Sequence, residues 1–442
     1  MKPQLYTLDN GLKVILVDTK STSLTTILMI GAGSRYENIK NNGIAHFFEH
    51  MAFKGSKKYP NSFVISSTIE GVGGIFNAFT SKDHTGYWIK SIPEHFETVI
   101  DVIADMVLHP RLEIEEIERE KGVIAEEINM YEDTPQRKVG ELFEELLYKG
   151  NPLGYDIAGT KDIIYKFDRS TFVNYINNLY HPENAVLVIA GGLANIRHSG
   201  PTRSRPAHSL ARITDIINDK FLGWKHGHPK GDQAQFIKVT ESQKKPQVLI
   251  RYKKTEQAHL SLGFRAFSFN DSRKYALNLL SVILGGGMSS RLFIQVRERR
   301  GLCYYISTGA EFYEDCGNIV TQAGVTIDIH KVKEAIKTIL EEHKKVTKGE
   351  VSKDEMIRAK ELIKGRLLLS LEDSANVATS YGTKQLLQNK VENPEEIIRK
   401  IEKITREEVV SLSKEIFTAS ALNLAIIGPF KEDKPFVDIL NF

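Results

Sequence analysis

NNGIAHFFEHMAFKGS, residues 41–56, carries two histidines four positions apart, His46 and His50, with Glu49 directly before the second. The run holds no proline and its apolar residues recur at helical spacing, so it reads as a helix. Side chains four apart share one helical face, so both imidazoles can reach a single ion, with Glu49 projecting beside the same place. Two imidazoles and a carboxylate are what a catalytic zinc centre needs: ligands, and a base for an attacking water. A further ligand must come from elsewhere in the chain. The plain alternative is an amphipathic helix that carries these three residues by accident.

Upstream, the chain opens as a strand, a turn at Asn10-Gly11 and a second strand over 13–17, followed by a strand over 24–30. Downstream, a helix over 62–70 stops at Gly71-Val72-Gly73-Gly74, and 75–80 and 85–89 read as paired strands. Residues 93–108 have the spacing of an amphipathic helix. A long charged helix follows in EIEEIEREKGVIAEEINMYEDTPQRK. There Glu120 and Glu127 are seven apart, about two turns, and point nearly the same way, whereas Glu126 is rotated by about 100° from Glu127. Taken alone these acids make a solvated face; beside HFFEH, a carboxylate on this helix is a candidate for the missing ligand.

The remaining first half holds a buried strand over 184–192 and an arginine- and proline-rich stretch, 195–212, read as irregular loop. A short helix over 213–221 precedes a glycine-containing linker, 223–235, in which His226 and His228 read as solvent-exposed. The second half repeats the first in outline: strands 247–253 and 258–264, a helix 274–284 ended by Gly285-Gly286-Gly287, strands 303–310 and 318–325, and helices 331–346 and 353–371. Glu132-Asp133 recurs as Glu372-Asp373 and VIAGG as AIIGP, at offsets near 240 residues. The chain therefore reads as a tandem duplication of one α/β unit of about 200 residues. Its fold class is α+β, in two homologous domains, 1–222 and 236–442, joined by 223–235. Only the first copy has HxxEH, and at the offset of 240 Glu120 and Glu127 become Lys360 and Leu367.

Composition narrows the class further. The 442 residues exceed one ordinary core, and 41% hydrophobic with 26% charged residues is a soluble globular balance. A net charge of +3 gives no nucleic-acid footprint. No apolar run approaches the length of a membrane span, and the N-terminus shows no signal-peptide pattern. Cys303 and Cys316 cannot build a disulfide framework, which suits a reducing compartment, so the expectation is a cytoplasmic protein. Gly285–Gly287 reads as a helix stop rather than a phosphate cradle, since no Lys-Ser/Thr follows.

Several stretches together resemble the pitrilysin/insulinase family of zinc metallopeptidases. They are HFFEH with a glutamate 77 residues after His50, NGLKVILV, GAGSRYE, GGIFNAFTSKDHTGYW and LGGGMSSRLFIQVRERRGLCYYI. HxxEH is the inverse of the commoner HExxH and marks the inverzincins. The likeness covers nearly the whole chain, and within the family it is to bacterial processing proteases akin to the mitochondrial processing peptidase β subunit. The resemblance implies His46, His50 and Glu127 as ligands of one zinc per chain, Glu49 as general base and Glu120 as a carboxylate that orients a ligand or the water. It implies substrate binding by the strand at Asn77, Ala78 and Phe79, and by Arg297 and Tyr304. It further implies that each domain is a mostly antiparallel sheet packed with helices, the two forming a clamshell, and it implies hydrolysis of unfolded peptides or presequences and a homodimer. Relatives that have lost catalysis, or that work only with a second protein, are the competing expectations.

Overall fold

The computed structural model describes residues 2–196, 210–225, 235–440 and 442. Among the described residues, eleven strands form two sheets. The first contains β1 (Gln4–Thr7), β2 (Lys13–Asp18), β3 (Leu24–Ile30), β4 (Ile75–Thr80), β5 (Thr85–Ser91) and β6 (Ala185–Gly191), in the order β1-β2-β6-β3-β5-β4. The second contains β7 (Gln247–Tyr252), β8 (Gln257–Ala266), β9 (Cys303–Phe312), β10 (Gly317–Thr326) and β11 (Leu422–Gly428), in the order β7-β11-β8-β10-β9. In each sheet one pair is parallel, β2 with β6 and β7 with β11, and every other pair is antiparallel. Removing β1 makes the two orders superimpose strand for strand, which is the duplication expressed as topology.

The central strands are apolar on both faces because both faces are covered. LTTILMI in β3, AVLVIAG in β6 and LNLAIIG in β11 are buried at every position. On one face of the first sheet the core gathers residues from helices Ile44–Ala52, Phe96–Leu108 and Arg169–Leu179. The other face (Ile15, Val17, Ile27, Met29, Val186, Val188, Ala190) packs on Val377, Ala378 and Tyr381 of helix Ser374–Gln388. That helix comes from the second half of the sequence. In the second sheet, Ala425 and Ile427 of β11 pack on Val139, Leu142 and Phe143 of helix Pro135–Leu147, which comes from the first half.

The compact units are accordingly discontinuous. One comprises Met1–Ile128, Tyr155–Ile237 and Leu368–Asn393; the other comprises Asn129–Gly154, Lys238–Leu367 and Pro394–Phe442. The division expected at 223–235 separates the sequence repeats, whereas each compact unit draws on both halves. Most of that linker, with His226 and His228, and most of 195–212 lie outside the described residues. The helix expected over 213–221 begins earlier, at Leu210. Cys303 and Cys316 are both buried. Among the described residues no helix is long and apolar enough to cross a membrane.

Candidate metal centre

The HFFEH helix, Ile44–Ala52, is fixed by its apolar side. Phe47 meets Phe172 edge to face and Phe48 meets Tyr180 in the same way, with ring centroids 4.9 and 4.8 Å apart. Its N-cap, Gly43, has φ of 96° and no side chain to cap the helix. A Cβ there would also come within 2.7 Å of the Ala158 carbonyl oxygen, so only glycine fits. Glu37 does the capping instead: it accepts the N–H groups of Gly43 and Ala45 at 2.8 Å each and the Asn42 amide at 2.9 Å. Burial pushes its carboxyl up to about 8, while those donors pull the other way.

With that face anchored, the opposite edge of the helix presents His46, Glu49 and His50. Glu127 reaches them from helix Ile114–Glu132. Its Oε2 stands 3.5 Å from His46 Nε2 and 3.4 Å from His50 Nε2. One ligand atom from each of the three lies within 4.8 Å of the others, the group among the described residues with metal-holding geometry. The spacing decides between a hydrogen-bonded cluster and an ion site. Good N–H···O bonds span about 2.7–3.2 Å. Two ligands each about 2.0–2.1 Å from a tetrahedral zinc stand about 3.4 Å apart. The observed separations match the second distance. His46 is 8% exposed, so its imidazole is held close to water-free beside Glu127. Two imidazole nitrogens and one carboxylate oxygen are also the donor types of zinc sites that keep a position open.

Glu120 lies beneath His50. Its Oε1 accepts from His50 Nδ1 at 2.9 Å, and its Oε2 pairs with Lys54 Nζ at 2.5 Å. That bond puts the proton on Nδ1 and frees Nε2 as a ligand. Burial pushes the Glu120 carboxyl up, and the His50 and Lys54 cations more than offset this, leaving it below the usual range. For His50 burial alone would lower the pKa, but Glu120 and Glu127 together raise it to about 9. Before a metal binds, His50 therefore holds a proton at neutral pH that the metal must displace.

Glu49 has its Oε2 held by the Thr80 hydroxyl at 2.6 Å. Thr80 ends β4, the edge strand that pairs only with β5 in its sheet. On β4, Phe76 and Ala78 pack toward the core that contains the HFFEH helix. Asn77 is exposed and accepts the Ala78 N–H with its own side chain. Phe79 turns to the other face of the sheet, against Gly86 and His84. In the second unit Arg297 lies in the helical turn Phe293–Glu298, donates Nε–H to the Tyr304 carbonyl at 2.9 Å and stacks on Phe293. Tyr304, on β9, is 75% exposed.

Sequence reading missed Lys54 and Thr80. Lys54 stands four residues after His50, just past the end of the same helix. Thr80 shares the period-two face of Phe76 and Ala78, which was the available signal.

Residues 13–161 match the model of the insulinase family (peptidase family M16), and residues 208–363 match that of the M16 inactive domain. The latter match falls on the half without HxxEH. The chain is 34% identical over 425 residues to the uncharacterized zinc protease YmxG of Bacillus subtilis (strain 168), covering 96% of this chain and 98% of that protein. It is 33% identical over 428 residues to an uncharacterized zinc protease of Rickettsia bellii, covering 96% of each. Among solved structures, a protease from Helicobacter pylori superimposes with a TM-score of 0.88 at 23% identity, covering 97% of this chain and 100% of that one. A peptidase M16 inactive domain from Pseudomonas fluorescens does so with 0.85 at 19%, covering 98% of each. At those identities the structural likeness is one of fold.

Proposed function

The chain belongs to the insulinase (M16) family of peptidases, and from that premise we propose that it is a zinc-dependent endopeptidase acting on unfolded peptides or presequences. The observation that carries the reading is the convergence of His46, His50 and Glu127 with Glu49 on the adjoining turn. When bound, zinc supplies Lewis acidity toward a water and toward the scissile carbonyl. The protein supplies the rest. His46, His50 and Glu127 hold the ion, and Glu120 sets the tautomer and orientation of His50. Glu49 takes the proton from the attacking water and returns it to the departing amine.

The outer edge of β4, at Asn77, Ala78 and Phe79, offers backbone groups to an extended peptide, which would add as a further strand. Arg297 and Tyr304 serve as donors to substrate carbonyls. The working form is a homodimer in the cytoplasm, with one zinc in each chain.

Purified chain should contain one zinc and cleave a quenched peptide, and a chelator should abolish cleavage. Glu49→Gln should keep the zinc while kcat falls roughly 10²- to 10⁴-fold, the usual worth of a general base. A Glu49→Gln protein that turns over at the wild-type rate would remove Glu49 from the chemistry.

A further inference from the structure

We propose that Thr80 is the positioning residue for Glu49: its hydroxyl fixes the carboxylate so that one oxygen is tied to the protein and the other is left for the reacting water. The inference rests on Glu49 being the base. The Thr80 Oγ1 to Glu49 Oε2 distance, 2.6 Å, is that of a charge-assisted O–H···O⁻ bond. A glutamate has three rotatable side-chain bonds, so a carboxylate at the end of one wanders unless something holds it.

The holder is itself immobilised, and that distinguishes Thr80 from an incidental neighbour. Threonine is stiff at its branched carbon. Thr80 pairs in register with Thr85, whose hydroxyl lies 3.4 Å from that of Thr80 and donates to the Ala32 carbonyl at 2.7 Å. Between them runs the turn Ser81-Lys82-Asp83-His84, whose charged side chains are buried, unlike those of most hairpin turns. Ser81 N–H donates to the His84 carbonyl at 2.8 Å and closes the turn, while the Ser34 and Arg35 N–H groups donate to the Ser81 and Lys82 carbonyls at 3.1 and 3.0 Å. Arg35, 1% exposed, pairs with Asp83 at 2.9 Å, and Lys82 Nζ donates to the Tyr155 carbonyl. Burying these charges is costly unless every one finds a partner, and the partners here lock the turn at one place. Thr80 is the point at which that locked turn touches the Glu49 carboxylate.

The test compares Thr80→Val, which keeps the shape and removes the hydroxyl, with Thr80→Ser, which keeps the hydroxyl. Crystal structures of the zinc-loaded variants should show the Glu49 carboxylate displaced in Thr80→Val and unmoved in Thr80→Ser. On a quenched peptide, Thr80→Val should keep its zinc and hold KM within about twofold while kcat falls roughly ten- to a hundredfold, and Thr80→Ser should recover most of the loss. Thr80→Ala replaces Thr80→Val if the valine protein does not fold. Glu49 in its original position in the hydroxyl-free variant overturns the proposal, as does a serine variant no better than the valine one. Glu49→Gln, assayed alongside, tests the base assignment separately. If it retains activity that assignment fails, while the position of the Glu49 carboxylate still decides whether Thr80 holds it.

Discussion

At the scale of single residues, the centre is a contest over one proton on His50. Glu120 and Glu127 lift the His50 pKa to about 9 in the metal-free protein, against an ordinary value of 6.5. A group whose pKa is higher folded than unfolded adds stability that is complete below the unfolded value and is lost as the pH rises through the folded one. The metal-free chain should therefore lose thermal stability between pH 6.5 and about 9. Glu37, raised from 4.5 to about 8, acts in the same sense over a lower range. Glu120→Gln isolates the His50 share, and its melting temperature should depend less on pH than that of the wild type. Zinc must expel the same proton, so zinc affinity should climb across that window, and Glu120→Gln should weaken zinc binding roughly 10- to 100-fold. A pH-independent zinc affinity in a competition titration would contradict this. HFFEH was legible because helical spacing alone brings His46 and His50 together. Thr80 was not, because the strand period places it on the face of Phe76 and Ala78 without showing that residue 49 is what it meets there.

At the scale of elements, the strands were readable to within a few residues because the sheets are covered on both faces. LTTILMI and AVLVIAG have no polar alternation to confuse with a helix, and glycines end the second. What covered those faces was not readable. Helix Ser374–Gln388 was not assigned from the sequence, and nothing in its residues names the sheet that receives it. The packing leaves a mark at Gly382, where a Cβ would stand 2.3 Å from Met29 Sδ and 3.2 Å from Val188 Cγ2. Its counterpart Gly140, on helix Pro135–Leu147, would meet only the terminal amide of Gln322 at 2.7 Å. Gly382→Ala should therefore cost about 1–3 kcal/mol by overpacking a filled core. Gly140→Ala should cost less, because the Gln322 amide can swing aside and alanine favours a helix over glycine. Urea denaturation of both variants measures the difference, and equal losses would argue against the described packing.

At the scale of the whole molecule, the sequence showed the duplication through Glu132-Asp133 and Glu372-Asp373, and through VIAGG and AIIGP, because these mark equivalent points of two equivalent topologies. It did not show that the compact units exchange helices, since similar halves contain similar helices and the pattern assigns neither to a particular sheet. The exchange has a consequence for fragments. Residues 1–222 alone lack Ser374–Gln388 and leave Ile15, Val17, Ile27, Met29, Val186, Val188 and Ala190 uncovered. That fragment should aggregate or bind a hydrophobic dye, and co-expression with 236–442 should restore a soluble complex. A fragment that is monomeric and melts cooperatively by itself would refute this. The central claim is that two imidazoles from one helix and a carboxylate from another, 77 residues further along the chain, meet at one ion. The direct measurement is an anomalous-difference map at the zinc edge from crystals of the zinc-loaded protein. The account predicts one peak per chain about 2.0–2.2 Å from His46 Nε2, His50 Nε2 and a Glu127 carboxylate oxygen; a peak elsewhere, or one that Glu127 does not reach, would contradict it.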